Sequence, residues 1–198
     1  MIKLNNNEIS FALITLAYWF FMLTDGALRM LVLLHFHVLG YTPLQLAYLF
    51  LLYEFLGMIT NLGAGWIAKK FGLNTTLFAG IILQILSLII LTQLDQTWST
   101  TLSVLFVMFT QGLSGIAKDL TKMSAKSSVK LLSPNKNSKL FKWVSLMTGS
   151  KNAVKGFGFL TGALLLSFTS FETSLKIMAL ILALMFILLS VSYTHLKL

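Results

Sequence analysis

The sequence predicts an all-α membrane protein with six transmembrane helices and both termini on the inner side of the bilayer. Three observations carry that prediction. Of 198 residues, 57% are hydrophobic and only 11% charged, with a mean hydropathy of +0.84; soluble domains carry about 25% charged residues. The apolar residues gather in six runs, each near the roughly 20 residues that cross a core of about 30 Å as helix. The lysines cluster in alternate connections between those runs. That apolar excess excludes a water-soluble globule and a disordered chain, and with Pro at 2 and Cys at 0 collagen and a disulfide scaffold are excluded too. Without cysteine there is no thiolate metal site, iron–sulfur cluster or redox pair.

The first run, Phe11–Leu34, begins too late and lasts too long for a cleaved signal peptide. It also carries Asp25 and Arg29, which an apolar signal core would not. The second, Pro43–Ile67, follows "LGYTP" (Leu39–Pro43), which sets Pro at a helix start. The third, Thr75–Leu94, follows the tight turn "FGLN" (Phe71–Asn74). Trp98–Ala117, Trp143–Phe168 and Ser174–Thr194 complete the set. Tyr41, Trp66, Trp98, Trp143 and Tyr193 stand near run ends, where aromatic rings favour the membrane interface.

The net charge is +9, and its placement explains it. Lys3, Lys69, Lys70, Lys197 and seven lysines from Lys118 to Lys142 fall on one side if the N-terminus is inside. The opposite connections hold Asp95, Glu172 and Lys176. This is the positive-inside pattern, and no base-reading or stacking module points to nucleic acid as a partner. Residues 124–140, "SAKSSVKLLSPNKNSKL", form the one sizeable polar stretch and are expected to be a cytoplasmic loop. Lys118, Lys122, Lys126 and Lys130 recur every four residues, one stripe on a helix. Such a stripe suits an extension of the fourth helix beside anionic headgroups, or an inner vestibule that gathers anions.

A charge at bilayer depth costs at least about 2.5–3.5 kcal/mol, so each needs a reason. Asp25 and Arg29 are spaced i,i+4 in the first run and can pair on one helix face, which Tyr18 and Met22 extend. The second run carries Glu54, with Gly57, Asn61 and Gly65 at following turns; the fourth ends in Gln111, Gly115, Lys118 and Asp119. Pairing of Glu54 or Asp119 with a lysine would hold helices in register. Lys151 and Lys155, one turn apart in the fifth run, repel each other and call for an anion; a water-filled cavity binding an anionic substrate supplies one. Gly158 and Gly162 form a G-x-x-x-G pair suited to close helix packing. His35 and His37, spaced i,i+2, do not face one metal and suit an interfacial place.

"GLSG" (Gly112–Gly115) resembles the G-x-S-G of rhomboid intramembrane proteases, with Ser114 as nucleophile. A serine nucleophile needs a base within reach, and the one late histidine, His195, lies beyond the sixth run. With no Walker A or dinucleotide motif either, neither an enzyme nor a cofactor is expected.

Six spans, a short second-to-third connection, "NLGAGWIAKKFGLN", and a long basic fourth-to-fifth connection resemble the N-terminal half of a major facilitator superfamily transporter. In that family's loop signature Gly65, Lys70 and Gly72 fit, while Lys69 stands in place of the acid and Leu73 and Asn74 replace the final basic pair. "YWFFMLTDGALRMLVLLHFH" (Tyr18–His37), "LFLLYEFLGMITNL" (Leu49–Leu62), "QGLSGIAKDLTKMSAKSSVKLL" (Gln111–Leu132) and "WVSLMTGSKNAVKGFGF" (Trp143–Phe159) resemble the organoarsenical efflux permeases of bacterial arsenic operons. That resemblance implies export of 1-arseno-3-phosphoglycerate across the bacterial inner membrane. It implies a functional link to glyceraldehyde-3-phosphate dehydrogenase, which makes the compound from arsenate.

Residues 1–198 are therefore expected to be a six-helix half of two inverted three-helix repeats, meeting a second half in the same chain or another protomer. Arg29, Lys151 and Lys155, with Lys118 at the inner mouth, are the expected cations for a phosphate- or arsenate-bearing substrate. Asp25 and Glu54 are the candidates for proton coupling, and Asp119 for charge pairing. The alternatives are transport of another organic anion or sugar phosphate, or a non-transporting membrane scaffold.

Overall fold

A computed structural model describes residues 6–95, 97–132 and 137–196. The regular structure among them is helical: α1 (Asn6–Val38), α2 (Pro43–Leu49), α3 (Leu51–Phe71), α4 (Leu73–Leu91), α5 (Thr100–Leu132), α6 (Asn137–Phe168) and α7 (Phe171–Leu196). Among the described residues five stretches are long and apolar enough to cross a membrane. They are Asn7–Val38, Pro43–Phe71 (α2 with α3), Leu73–Leu91, Thr100–Leu132 and Phe171–Ser192. The run Trp143–Phe168 lies within α6, which is not among the five; Lys142, Lys151, Asn152 and Lys155 dilute it.

Local chemistry sets the ends. α1 stops in a Schellman turn. Gly40 takes φ +84°, its N–H donates to the His37 carbonyl, and Tyr41 N–H donates to the Phe36 carbonyl at 3.1 Å. The Phe36 and Tyr41 rings meet edge-on at 4.9 Å, the hydrophobic contact that accompanies this motif. Thr42 and Gln45 form a reciprocal capping box at the start of α2, with Pro43 in the first turn. The second run is not one unbroken helix. At Phe50 (φ −104°, ψ 0°) the backbone tightens to an i→i+3 bond onto Ala47, and α3 then begins. Gly72, at φ +87°, alone separates α3 from α4. Ser170 caps α7 by accepting from the Thr173 N–H, so that helix starts ahead of the expected Ser174.

The expected cytoplasmic loop 124–140 is largely helix. α5 continues to Leu132 and α6 begins at Asn137; residues 133–136 lie outside the described ones. The cause is a second face opposite the lysine stripe. Ser124, Ala125, Ser128 and Val129 are buried, and Ala125 and Val129 join the cluster containing Phe11, Ile14, Trp143 and Met147. Trp143 is likewise interior rather than interfacial, stacked on Phe11 at 4.3 Å. Trp66 is exposed at its run end, whereas the side chain of Tyr193 lies outside the described residues.

α1 is the central helix. It packs along α6 and also touches α5 and α7, while α5 packs on α3 and α4. Two apolar clusters divide along it. One gathers around Ile14, Tyr18 and Phe21, the other around Leu28, Leu31 and Phe36. Between them sit Thr24 and Asp25, both fully buried. The α1–α6 contact is backbone-close. A Cβ on Gly26 would stand 2.6 Å from the Lys155 carbonyl oxygen, and one on Gly158 or Gly162 would strike the α1 backbone at Leu23 or Ala27.

Gly162→Leu should therefore pry α6 from α1 and destabilise the fold by about 1–3 kcal/mol. Thermal unfolding of the detergent-purified protein reads this as a lowered midpoint. Gly149→Leu on the same helix, where a Cβ would meet nothing within 4 Å, should leave the midpoint unchanged.

Candidate functional site

Eight side chains from four helices enclose a cavity of about 280 Å³: Met22 and Arg29 of α1, Glu54 of α3, Lys118 and Lys122 of α5, and Lys151, Asn152 and Lys155 of α6. α4 and α7 contribute none. Every charged residue expected at the site stands in or beside this cavity, and all but Lys151 take part in ion pairs, some between helices and some within α5.

Asp25 has a side chain with 0% exposure, and both oxygens are bonded. Lys155 Nζ donates to Oδ2 at 2.8 Å, and the Tyr53 hydroxyl donates to Oδ1. Glu54 differs in that its side chain is 62% exposed. It accepts from Arg29 Nη2 at 2.5 Å and stands 3.7 Å from Lys118 Nζ. Asp119, nearly buried, pairs with Lys122 at 2.8 Å and stands 3.7 Å from Lys118. Gly57 makes room for this arrangement, since a Cβ there would lie 2.8 Å from Asp119 Oδ2 and 3.6 Å from Lys118 Nζ.

Two sequence expectations are thereby corrected. Asp25 and Arg29 do not pair with each other, despite their i,i+4 spacing. Each finds a partner on another helix, because Asp25 faces α6 and α3 while Arg29 reaches Glu54. Lys155 is not short of an anion, since Asp25 supplies it. Lys151 remains without a carboxylate partner among the described residues. Among the described residues around the cavity, five cations face three carboxylates, an excess of two positive charges.

Tyr53 is the residue that the sequence reading passed over. Its ring is fully buried, with the Arg29 guanidinium carbon 3.9 Å and Lys118 Nζ 4.2 Å from the ring centroid. One side chain thus bonds the buried acid and offers its π face to two cations. The available signal was its place beside Glu54 in a run holding no other carboxylate.

The remaining candidates lie elsewhere. Ser114 is fully buried and donates to Gln84 Oε1 at 2.7 Å, tying α5 to α4. His35 stacks on Phe171 at 4.1 Å at the far end of α1, and His37 is exposed there. The side chain of His195 is outside the described residues. No protein-family model and no curated protein matches the sequence.

Chemically, a cavity with this surplus of positive charge could hold an anion. Arg29 offers a planar fork, Lys151 a point charge, and Asn152 an amide. Removing the buried acid tests the framework beneath it. Asp25→Asn strands Lys155 and should lower stability by about 3 kcal/mol, read as a depressed unfolding midpoint in detergent. Adding Lys155→Met to Asp25→Asn should recover most of that loss, because no uncompensated charge is left.

Proposed function

We propose that this chain is one six-span half of a secondary transporter for an organic anion, built as in the major facilitator superfamily. Its cargo in this reading is the organoarsenical 1-arseno-3-phosphoglycerate. The observation that carries the transport reading is the excess of cations around one cavity, with Lys151 left without an acid. α6 serves as the sixth span. Lys151 and Lys155 are tolerated at membrane depth because they face a polar cavity and the Asp25 carboxylate rather than lipid. The termini and the lysine-rich ends of α5 and α6 then lie on the cytoplasmic side of a bacterial inner membrane.

The division of labour among helices supports the half-transporter reading. α1, α3, α5 and α6 furnish the polar wall, with α4 and α7 behind it. Glu54 is exposed on that wall, and α3 also leaves Phe55, Met58 and Leu62 uncovered. A second six-helix half would close this side, and rocking of the halves would give alternating access. The arsenical cargo rests on the sequence resemblance; the cavity chemistry alone supports an organic anion, which makes a sugar phosphate exporter the second reading.

Everted membrane vesicles containing the chain and its second half test this. Supplied with arsenate, glyceraldehyde 3-phosphate, NAD and the dehydrogenase, they should accumulate arsenic only when the enzyme is present. Lys151→Ala should fold normally and cut that uptake by about 10-fold or more. Folded protein with no dehydrogenase-dependent uptake would remove the arsenical cargo, and uptake untouched by Lys151→Ala would remove the site.

A further inference from the structure

We propose that Glu54 is a resident anion of the cavity, occupying the Arg29–Lys118 position in the empty protein and displaced from it by the bound anion. This inference rests on the anion-transport reading and names the residue against which the substrate competes. Three observations lead to it.

The first is a difference between the carboxylates. Asp25 is fully buried and Asp119 nearly so, each with a cation at 2.8 Å, whereas the Glu54 side chain is 62% exposed. Among the three, Glu54 alone can leave its partners and be solvated by water without opening the helix packing. The second is the identity of its partners. Arg29 and Lys118 are the two cations seated on the Tyr53 ring, so their positions are held independently of Glu54. They stay in place as a prepared anion site when it departs.

The third is incomplete use of Arg29. Glu54 takes one bond, from Nη2, and the buried Nε has no hydrogen-bond partner among the described residues. A phosphate or arsenate group presents several oxygens and can take Nη2 and Nε together, the bidentate mode that a guanidinium favours. Lys118, at 3.7 Å from Glu54, likewise has room to close on a better ligand. A substrate with a second anionic group would place that group toward Lys151. The ion pair at Glu54 keeps the cations from standing bare when the cavity is empty, and its rupture lowers the apparent affinity for cargo.

Binding of 3-phosphoglycerate, a stable bis-anionic probe, tests this. It is measured by calorimetry on the full chain in phosphatidylcholine nanodiscs. Glu54→Gln should bind the probe about 3- to 10-fold more tightly than the unmodified protein, since the competing ligand is gone. Glu54→Asp keeps the charge but shortens the reach to Arg29, and should also bind more tightly. A gain in Glu54→Gln with none in Glu54→Asp would reduce Glu54 to a repulsive field and overturn the displacement. Unchanged or weaker binding in both variants would overturn it while leaving an anion site in place. No binding by any of the three proteins would defeat the anion reading itself. In phosphatidylglycerol nanodiscs the gain should persist; its disappearance there would mean that a lipid headgroup takes the position, and would overturn displacement by a soluble anion.

Discussion

Asp25 lies in the middle of α1 with no exposed side-chain surface, in a protein with five stretches, among the described residues, long and apolar enough to cross a membrane. A carboxylate in such a place is tolerable only if both oxygens are bonded and its charge is met. Satisfying that condition fixes three helices at once. Lys155 must come from α6, so α6 has to run close along α1, and the hydroxyl of Tyr53 must come from α3. The glycines follow from the same demand. Gly26, Gly158 and Gly162 let the α1 and α6 backbones approach within side-chain reach, and Gly57 admits the α5 charges beside α3. Asp25 also marks the boundary between the two apolar clusters, so the polar layer divides the core rather than lying at its edge.

The charges around the cavity fall into a fixed set and an exchangeable one, and burial separates them. Asp25 with Lys155 and Asp119 with Lys122 have their acids inside the packing, where the loss of one partner would leave an isolated charge. Glu54 with Arg29 is open to water, where an ion pair contributes little net stability and can be traded for another. In the proposed transport reading, the first kind would hold the cation positions constant through a conformational cycle, and the second would let occupancy of the site change without disturbing the helices.

Much of this was legible in the sequence, for reasons that can be named. Helix positions came from hydropathy, because the bilayer sets both length and composition of a span. The charged residues stand out because a charge in or at the end of an apolar run needs a reason, and Arg29, Lys118, Lys151, Lys155, Asp25, Glu54 and Asp119 are such residues. Their pairing was not recoverable. An i,i+4 spacing says that Asp25 and Arg29 share a helix face, but the competing partners come from helices far away in sequence, and no local rule ranks them. The end of α5 was misread for a related reason. "SAKSSVK" is polar enough to pass as a loop, yet its small residues form a face that packs into the core, and small polar side chains carry almost no hydropathy signal. Tyr53 escaped notice because a tyrosine in an apolar run is unremarkable until its ring is found beneath two cations.

The same reasoning explains why α6 is the one long helix, among the described residues, without a stretch apolar enough to cross a membrane. Its shortfall comes from Lys142, Lys151, Asn152 and Lys155, and the last three are the α6 side chains that line the cavity. Beyond them the helix is ordinary for a membrane, with Phe157, Leu160 and Leu164 exposed along it. A helix that lost these three polar residues would be a better span by composition and a worse wall, since Asp25 would then be buried without its Lys155 cation and the cavity would lose Lys151 and Asn152. Weak apolarity in one helix of an otherwise strongly apolar set is therefore informative in itself. In the proposed reading it marks the segment where the requirements of the bilayer yield to those of the site.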